Sequence, residues 1–145
     1  KGTDPNVLAG FDIAGMSATQ NVFEMINEET KAGRLDSRFY DALAISSALD
    51  FPGYALMNRK DDELSDINNY VRHSGADPDI IKALAGLSLI LNSRDILYHT
   101  KRLFGMNPSP PKEIKATLFG VEVEPEVKVS PDYGMAFMVS GSKKW

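Results

Sequence analysis

With 145 residues, of which 43% are hydrophobic and 25% charged, the chain can bury one core without disulfides or metals and is too apolar to be a disordered segment. The absence of cysteine excludes disulfide frameworks, thiolate metal sites and cysteine nucleophiles. A net charge of −4 argues against a general nucleic-acid binder, and the acidity is uneven: residues 1–76 hold seven Lys/Arg against twelve Asp/Glu, while the remainder is close to neutral.

No apolar run approaches the roughly 20 residues a membrane helix needs, and the N-terminus lacks the charged-then-apolar pattern of a signal peptide. The chain starts at Lys1 rather than methionine, as expected of a processed product or a segment of something longer.

Residues 1–16 are rich in glycine and turn formers, with Val7, Leu8, Phe11 and Ile13 as isolated apolar anchors. This pattern predicts an irregular N-terminal arm, with a short strand over 11–13, that packs at home or docks on a neighbour. Ser17 and Gln20 then fit a capping box opening a helix. Val22, Met25 and Ile26 form its inner face, Glu24, Glu28 and Glu29 its outer face, and Lys31 and Gly33 end it. Asp36 is placed to cap a second helix, with Leu35 and Tyr40 as a hydrophobic staple. Its core face would use Phe39, Ala42, Leu43, Ile45 and Leu49, with Phe51-Pro52-Gly53 closing it. The short connection makes the two helices antiparallel neighbours. A third helix is expected from the acidic cluster Asp61–Glu63 to about His73, with Leu64, Ile67 and Val71 inward and Gly75 as the stop.

The stretch 77–105 is the longest apolar-periodic run and the expected centre of the core. Asp77 reads as its N-cap and Pro78 as its first residue. Ile80, Leu84, Leu87 and Leu91 share one face, with Ile81, Leu89 and Ile90 on others, the pattern of a buried helix. Asn92-Ser93 leaves open one helix or two. Lys101 and Arg102 followed by Gly105 and Asn107-Pro108 make the stop.

Residues 106–113 contain three prolines and predict an extended connector. Beyond it the period changes to two. Residues 114–123 alternate with a phase slip at Leu118-Phe119-Gly120 that suggests a bulge, 126–129 alternate again, Ser130–Tyr133 is a turn, and 134–140 form a last strand before a polar tail ending in Trp145. The fold class is therefore α+β and mostly helical. A bundle-like body of four or five helices (about 17–105) is followed by a small C-terminal antiparallel β unit (about 114–140), all in a single domain spanning 1–145.

No motif for chemistry stands out. His73 and His99 have no second ligand at helical spacing, and Asp77 and Asp79 do not continue into a calcium loop. Ser109–Lys112 and Ser140–Lys143 match S-x-x-K in letters, but a proline connector and a Gly/Ser tail lack the helix that motif needs. No catalytic residue, no metal ligand set and no cofactor is expected, and the chain is expected not to be an enzyme.

Two other classes remain. Arg94, Tyr98 and Arg102 recur at helical spacing with Lys101 adjacent, so cations flank an aromatic ring, the chemistry of phosphate neutralisation with base stacking. The same residues have an ordinary account: Lys101 and Arg102 complement a helix C-terminus, and Arg94 pairs with an acidic side chain of the first half. Self-association draws on the ends of the chain. Phe11 and Ile13 in the arm, Val121, Val123, Met135, Phe137 and Met138 in the β unit, and Trp145 in the tail are the expected interface residues, with an open strand edge as the attachment point. The favoured expectation is a non-enzymatic structural or interaction domain that forms homo-oligomers, such as a component of a viral shell. An RNA- or DNA-associated protein using the 94–102 face is the alternative.

Overall fold

The computed structural model describes residues 2–59 and 62–142. Among them the chain forms four helices followed by a three-stranded antiparallel sheet, a mostly helical α+β architecture. The helices are α1 (Pro5–Lys31), α2 (Arg38–Met57), α3 (Asp66–Ser74) and α4 (Pro78–Leu103). The strands are β1 (Ala116–Leu118), β2 (Val121–Ser130) and β3 (Gly134–Ser142), in spatial order β1-β2-β3.

The largest correction concerns the N-terminus, which is a long helix rather than an arm. Asp4 is the N-cap, its carboxylate accepting from the Asn6 N–H at 2.9 Å, and Pro5 occupies the first turn. This is the cap grammar of Asp77-Pro78 repeated, with Asp77 accepting from Asp79 N–H at 2.8 Å. Gly10 and Gly15 suggested turns, but the buried Ala9, Ile13, Met16, Phe23, Ile26 and Thr30 follow one continuous helical stripe. Ser17 and Gln20 therefore sit mid-helix and form no capping box. Gly10 has a packing reason: a Cβ there would meet the Pro131 carbonyl oxygen at 3.0 Å, so glycine lets the β2–β3 turn lie against α1.

Three smaller corrections follow the same logic. Ser37, not Asp36, caps α2, and the helix runs through Pro52 to Met57. The helix α3 begins at Asp66 behind the N-cap Ser65 rather than at the acidic cluster, so Leu64 lies before it and is exposed; Asp61 lies outside the described residues. The helix α4 is unbroken across Asn92-Ser93, the Ser93 hydroxyl donating to the Ile90 carbonyl at 2.8 Å. It stops as expected, with Gly105 at φ +81°.

One hydrophobic cluster draws Ala9, Ile13 and Met16 from α1, Phe51 and Ala55 from α2, Ile67 and Tyr70 from α3, Ile81 and Ala85 from α4, and Val127 and Val129 from β2. A second joins Phe23 and Ile26 to Ala44 and Ala48. The helix at the centre of both is α1, which contributes to each cluster and holds the fully buried Ile13 and Ile26. The segment 78–103 instead packs mainly by one side. Ile81, Ala85, Ser88, Tyr98 and His99 are buried, Leu84, Leu87 and Leu91 are half-buried, and Ile80, Ile90 and Leu97 are exposed.

The β unit is built from two tight hairpins. Phe119 and Gly120, at φ +51° and +79°, form a two-residue turn between Leu118 and Val121, so the phase slip seen in the sequence is a turn and not a bulge. Pro131-Asp132-Tyr133 joins β2 to β3, and Gly134 at φ +85° closes that loop beneath the Tyr70 hydroxyl. A Cβ on Gly134 would collide with that hydroxyl oxygen. The variant Gly134→Ala is therefore expected to lose more than about 2 kcal/mol in urea unfolding, the left-handed backbone alone costing roughly 1–2. Adding Tyr70→Phe should restore only the part due to the steric clash.

Candidate interaction surface

The two edges of the sheet are treated differently by the chain. In an antiparallel pair, residues of one parity turn their N–H and C=O toward one neighbour and residues of the other parity toward the opposite side. In β2 the odd residues turn away from β3. Val121 and Val123 meet β1, pairing with Leu118 and Ala116. Farther along, the Gln20 carboxamide of α1 accepts from the Val129 N–H at 2.8 Å and donates to the Val127 carbonyl at 2.5 Å. Between these two stretches stands Pro125, which has no N–H to satisfy. One turn along α1, Glu24 takes the Lys128 ammonium at 2.7 Å. Partial burial pulls that ammonium down, but Glu24 and then Glu126 outweigh it and raise its pKa above the ordinary value. Charge also guards the β1 end, where Lys115 lies 3.0 Å from Glu113 and 3.2 Å from Glu124. Those two carboxylates raise the Lys115 pKa well above its usual range.

The β3 edge has none of these devices. Its nine residues GMAFMVSGS contain no charge and no proline, the usual means by which a free edge is blunted. Pairing with β2 runs from Gly134 opposite Ser130 to Ser142 opposite Glu122. Gly134 is buried, and Met135 and Ala136 are half-buried against the body, whereas Phe137, Met138, Val139, Ser140 and Gly141 are exposed. The first hairpin projects as well: all three residues of β1 are exposed and Phe119 at its tip is completely so. That a bulky aromatic holds a left-handed backbone there is strain without any compensating contact, a pattern that concentrates at functional positions.

The expected interface residues therefore divide. Phe137 and Met138 lie on the open strand, 49% and 41% exposed. Val121, Val123 and Met135 are half-buried, Met135 packing on the main core. Phe11 is exposed on α1, where with Val7 it borders a groove of about 400 Å³ beside Pro131. Ile13 is a correction: it is fully buried in its own chain, because position 13 belongs to the inward stripe of α1. Trp145 lies outside the described residues. Sequence reasoning missed Leu118, Phe119 and Val139, although the Phe-Gly dipeptide between alternating runs was a hairpin signal.

The proposed nucleic-acid face does not form a stacking platform. Tyr98 is 5% exposed, with the Arg102 guanidinium 5.6 Å from its ring centre. Arg102 itself turns inward, its Nε donating to Asp41 at 3.0 Å and its Nη2 to Asp36 at 2.9 Å. Burial opposes its charge, but these carboxylates dominate and raise its pKa further. Arg94 and Lys101 remain exposed, Arg94 at the rim of a polar cleft of about 240 Å³ between α1, α4 and β2. The four residues lie on neighbouring turns of one helix side, and the packing of α2 decides between them: Arg102 is drawn onto Asp41 of α2 while Arg94 and Lys101 stay in solvent.

The histidines are structural partners of carboxylates. His99 is fully buried, with Nδ1 2.7 Å from Asp41 Oδ1 and Nε2 3.3 Å from Asn27 Oδ1. The Asn27 amide donates to Asp95 at 3.0 Å, and Lys31 reaches the same carboxylate at 2.7 Å. This chain of polar groups ties α1, α2 and α4 together, and its Asn27, Lys31 and Asp95 line the polar cleft beside Arg94. The second pair, His73 with Asp12 at 2.6 Å, is partly exposed and joins α3 to α1. Among the described residues no cluster of three or more metal-ligating side chains occurs, and no helix is long and apolar enough to cross a membrane.

No family model, curated protein or solved structure matches this chain.

Two outcomes are expected of this geometry. Removing the shared carboxylate with Asp41→Ala leaves Arg102 and His99 without their buried partner and should cost about 3–5 kcal/mol in urea unfolding, whereas Asp36→Ala at the exposed end should cost under about 1. Phe119→Asn, which suits the turn, should raise stability by about 1 kcal/mol, measured by the shift in the unfolding midpoint.

Proposed function

We propose that this chain is a non-enzymatic structural or interaction domain that self-associates through its C-terminal sheet, as the subunits of larger particles do. The observation that carries the reading is the unprotected β3 strand, nine residues without charge or proline, with Phe137, Met138 and Val139 exposed along it. An uncharged strand that leaves its outer edge and several apolar side chains to water is the kind of edge that pairs with another chain. It is all the more telling because the opposite edge of the same sheet is closed by β1, Pro125 and Gln20. The His99–Asp41 pair is spent internally: both nitrogens of His99 and the Asp41 carboxylate are engaged and buried.

Sedimentation velocity over a wide concentration range tests the reading. The unmodified chain should pass from monomer to oligomer with rising concentration. Phe137→Glu, which places a charge at a half-exposed position of the open strand, should weaken association about tenfold or more while leaving the circular dichroism unchanged. A single monomeric species at every concentration would overturn it.

A further inference from the structure

We infer that the self-association proposed above is an edge-to-edge pairing of two β3 strands, antiparallel about a two-fold axis at Val139, which joins two three-stranded sheets into one of six. The inference rests on that reading and specifies its partner: a second copy of this chain.

Strand parity decides which backbone groups face outward. Odd residues of β2 turn away from β3, as Gln20 shows by bonding Val127 and Val129. Their β3 partners are Val139 for Pro125, Phe137 for Val127 and Met135 for Val129, so odd residues of β3 also turn away from β2. The backbone N–H and C=O groups of Phe137, Val139 and Gly141 thus project from the free edge, and these residues lie in the exposed part of the strand. Met135, nearer the helical body, is half-buried. The window 137–141 is centred on Val139, and an antiparallel copy in that register lets both bodies stand clear at opposite ends of the joint.

The side chains then complement one another. Phe137 lies opposite the second copy's glycine at 141 and can cover that bare position, a pairing known to stabilise edge glycines. Val139 meets its own copy, a β-branched pair suited to a pleated surface. Met138 faces the serine at 140 on the other side of the sheet. No charge is buried anywhere in the joint, because 134–142 carries none. A strongly acidic or basic peptide would find no counter-charge along this edge, whereas a second copy of an uncharged strand does not need one. The acidic Glu122, Glu124 and Glu126 stand one strand further in on β2. Three strand spacings would separate the two β2 strands by ~14 Å, beyond the ~8 Å screening length at physiological salt, so their like charges do not oppose the pairing.

Parity supplies the test. Val139→Pro removes an outward N–H and leaves the β2–β3 ladder intact, so it should retain the native fold by circular dichroism and weaken dimerisation about tenfold or more in sedimentation. Met138→Pro removes a ladder donor and should destabilise the fold itself. Because the chain has no cysteine, single substitutions to cysteine at 137, 138, 139 and 140 give a clean oxidation scan. Cross-linked dimer should peak at Val139→Cys, the one position that meets itself across the axis, where the Cα separation of a hydrogen-bonded pair, about 5.5 Å, lies within the span of a disulfide. Should Val139→Pro fail to fold, the cysteine scan decides alone. Self-association that survives Val139→Pro, or a scan without a maximum at 139, overturns this pairing but leaves self-association standing. A monomeric unmodified chain overturns both.

Discussion

One side-chain carboxamide does the work of a missing strand. Backbone donors and acceptors along a buried sheet edge must be paired, and β1 is long enough to satisfy β2 only over Val121–Val123. Gln20 supplies the remaining partners at Val127 and Val129, and Pro125 removes the donor that would lie between. This lock fixes where the sheet sits on α1 and therefore which of its edges faces outward. With the β2 side closed, β3 becomes the open side.

The same helix organises the interior. Its inward stripe runs from Ala9 to Thr30 and feeds both hydrophobic clusters, while its polar residues Asp12, Asn27 and Lys31 reach α3 and α4. The chain of contacts from Lys31 through Asp95, Asn27, His99 and Asp41 to Arg102 lies between helices whose apolar contacts alone would allow sliding. Buried hydrogen bonds are directional and expensive to leave unmade, so such a chain selects one register among otherwise similar packings. Within it His99 and Asp41 meet at hydrogen-bond distance, both buried.

Against this economy the exposed parts of the sheet stand out. The body pairs its buried side-chain polar groups, the Thr30 hydroxyl apart, and closes one side of β2 three ways, yet β3 carries exposed Phe137, Met138 and Val139, and Phe119 holds an unfavourable backbone in full contact with water. A free edge of this length and composition is an aggregation hazard for a protein that works alone. It is an asset for one that joins other copies, since backbone pairing provides affinity and the alternating side chains provide register.

Local signals in the amino-acid order were sufficient for much of this. The caps of α4, the proline connector, the Ser130–Tyr133 turn and the change from a helical to a two-residue period gave the α+β class and the position of the β unit. They were sufficient because capping, turn formation and alternation are decided within a few residues. The helical N-terminus was also legible, through Asp4-Pro5 and the stripe of Ala9, Ile13 and Met16, but the glycines at 10 and 15 weighed locally toward a turn. What those glycines do depends on a neighbour more than a hundred residues away, since Gly10 makes room for Pro131. Tertiary structure alone decided that Gln20 reaches a strand rather than its own helix, that Tyr98 and Arg102 turn inward while Arg94 and Lys101 do not, and that β3 is the strand left uncovered. Each of these follows from which surfaces meet across the fold, and spacing along the chain carries no information about that.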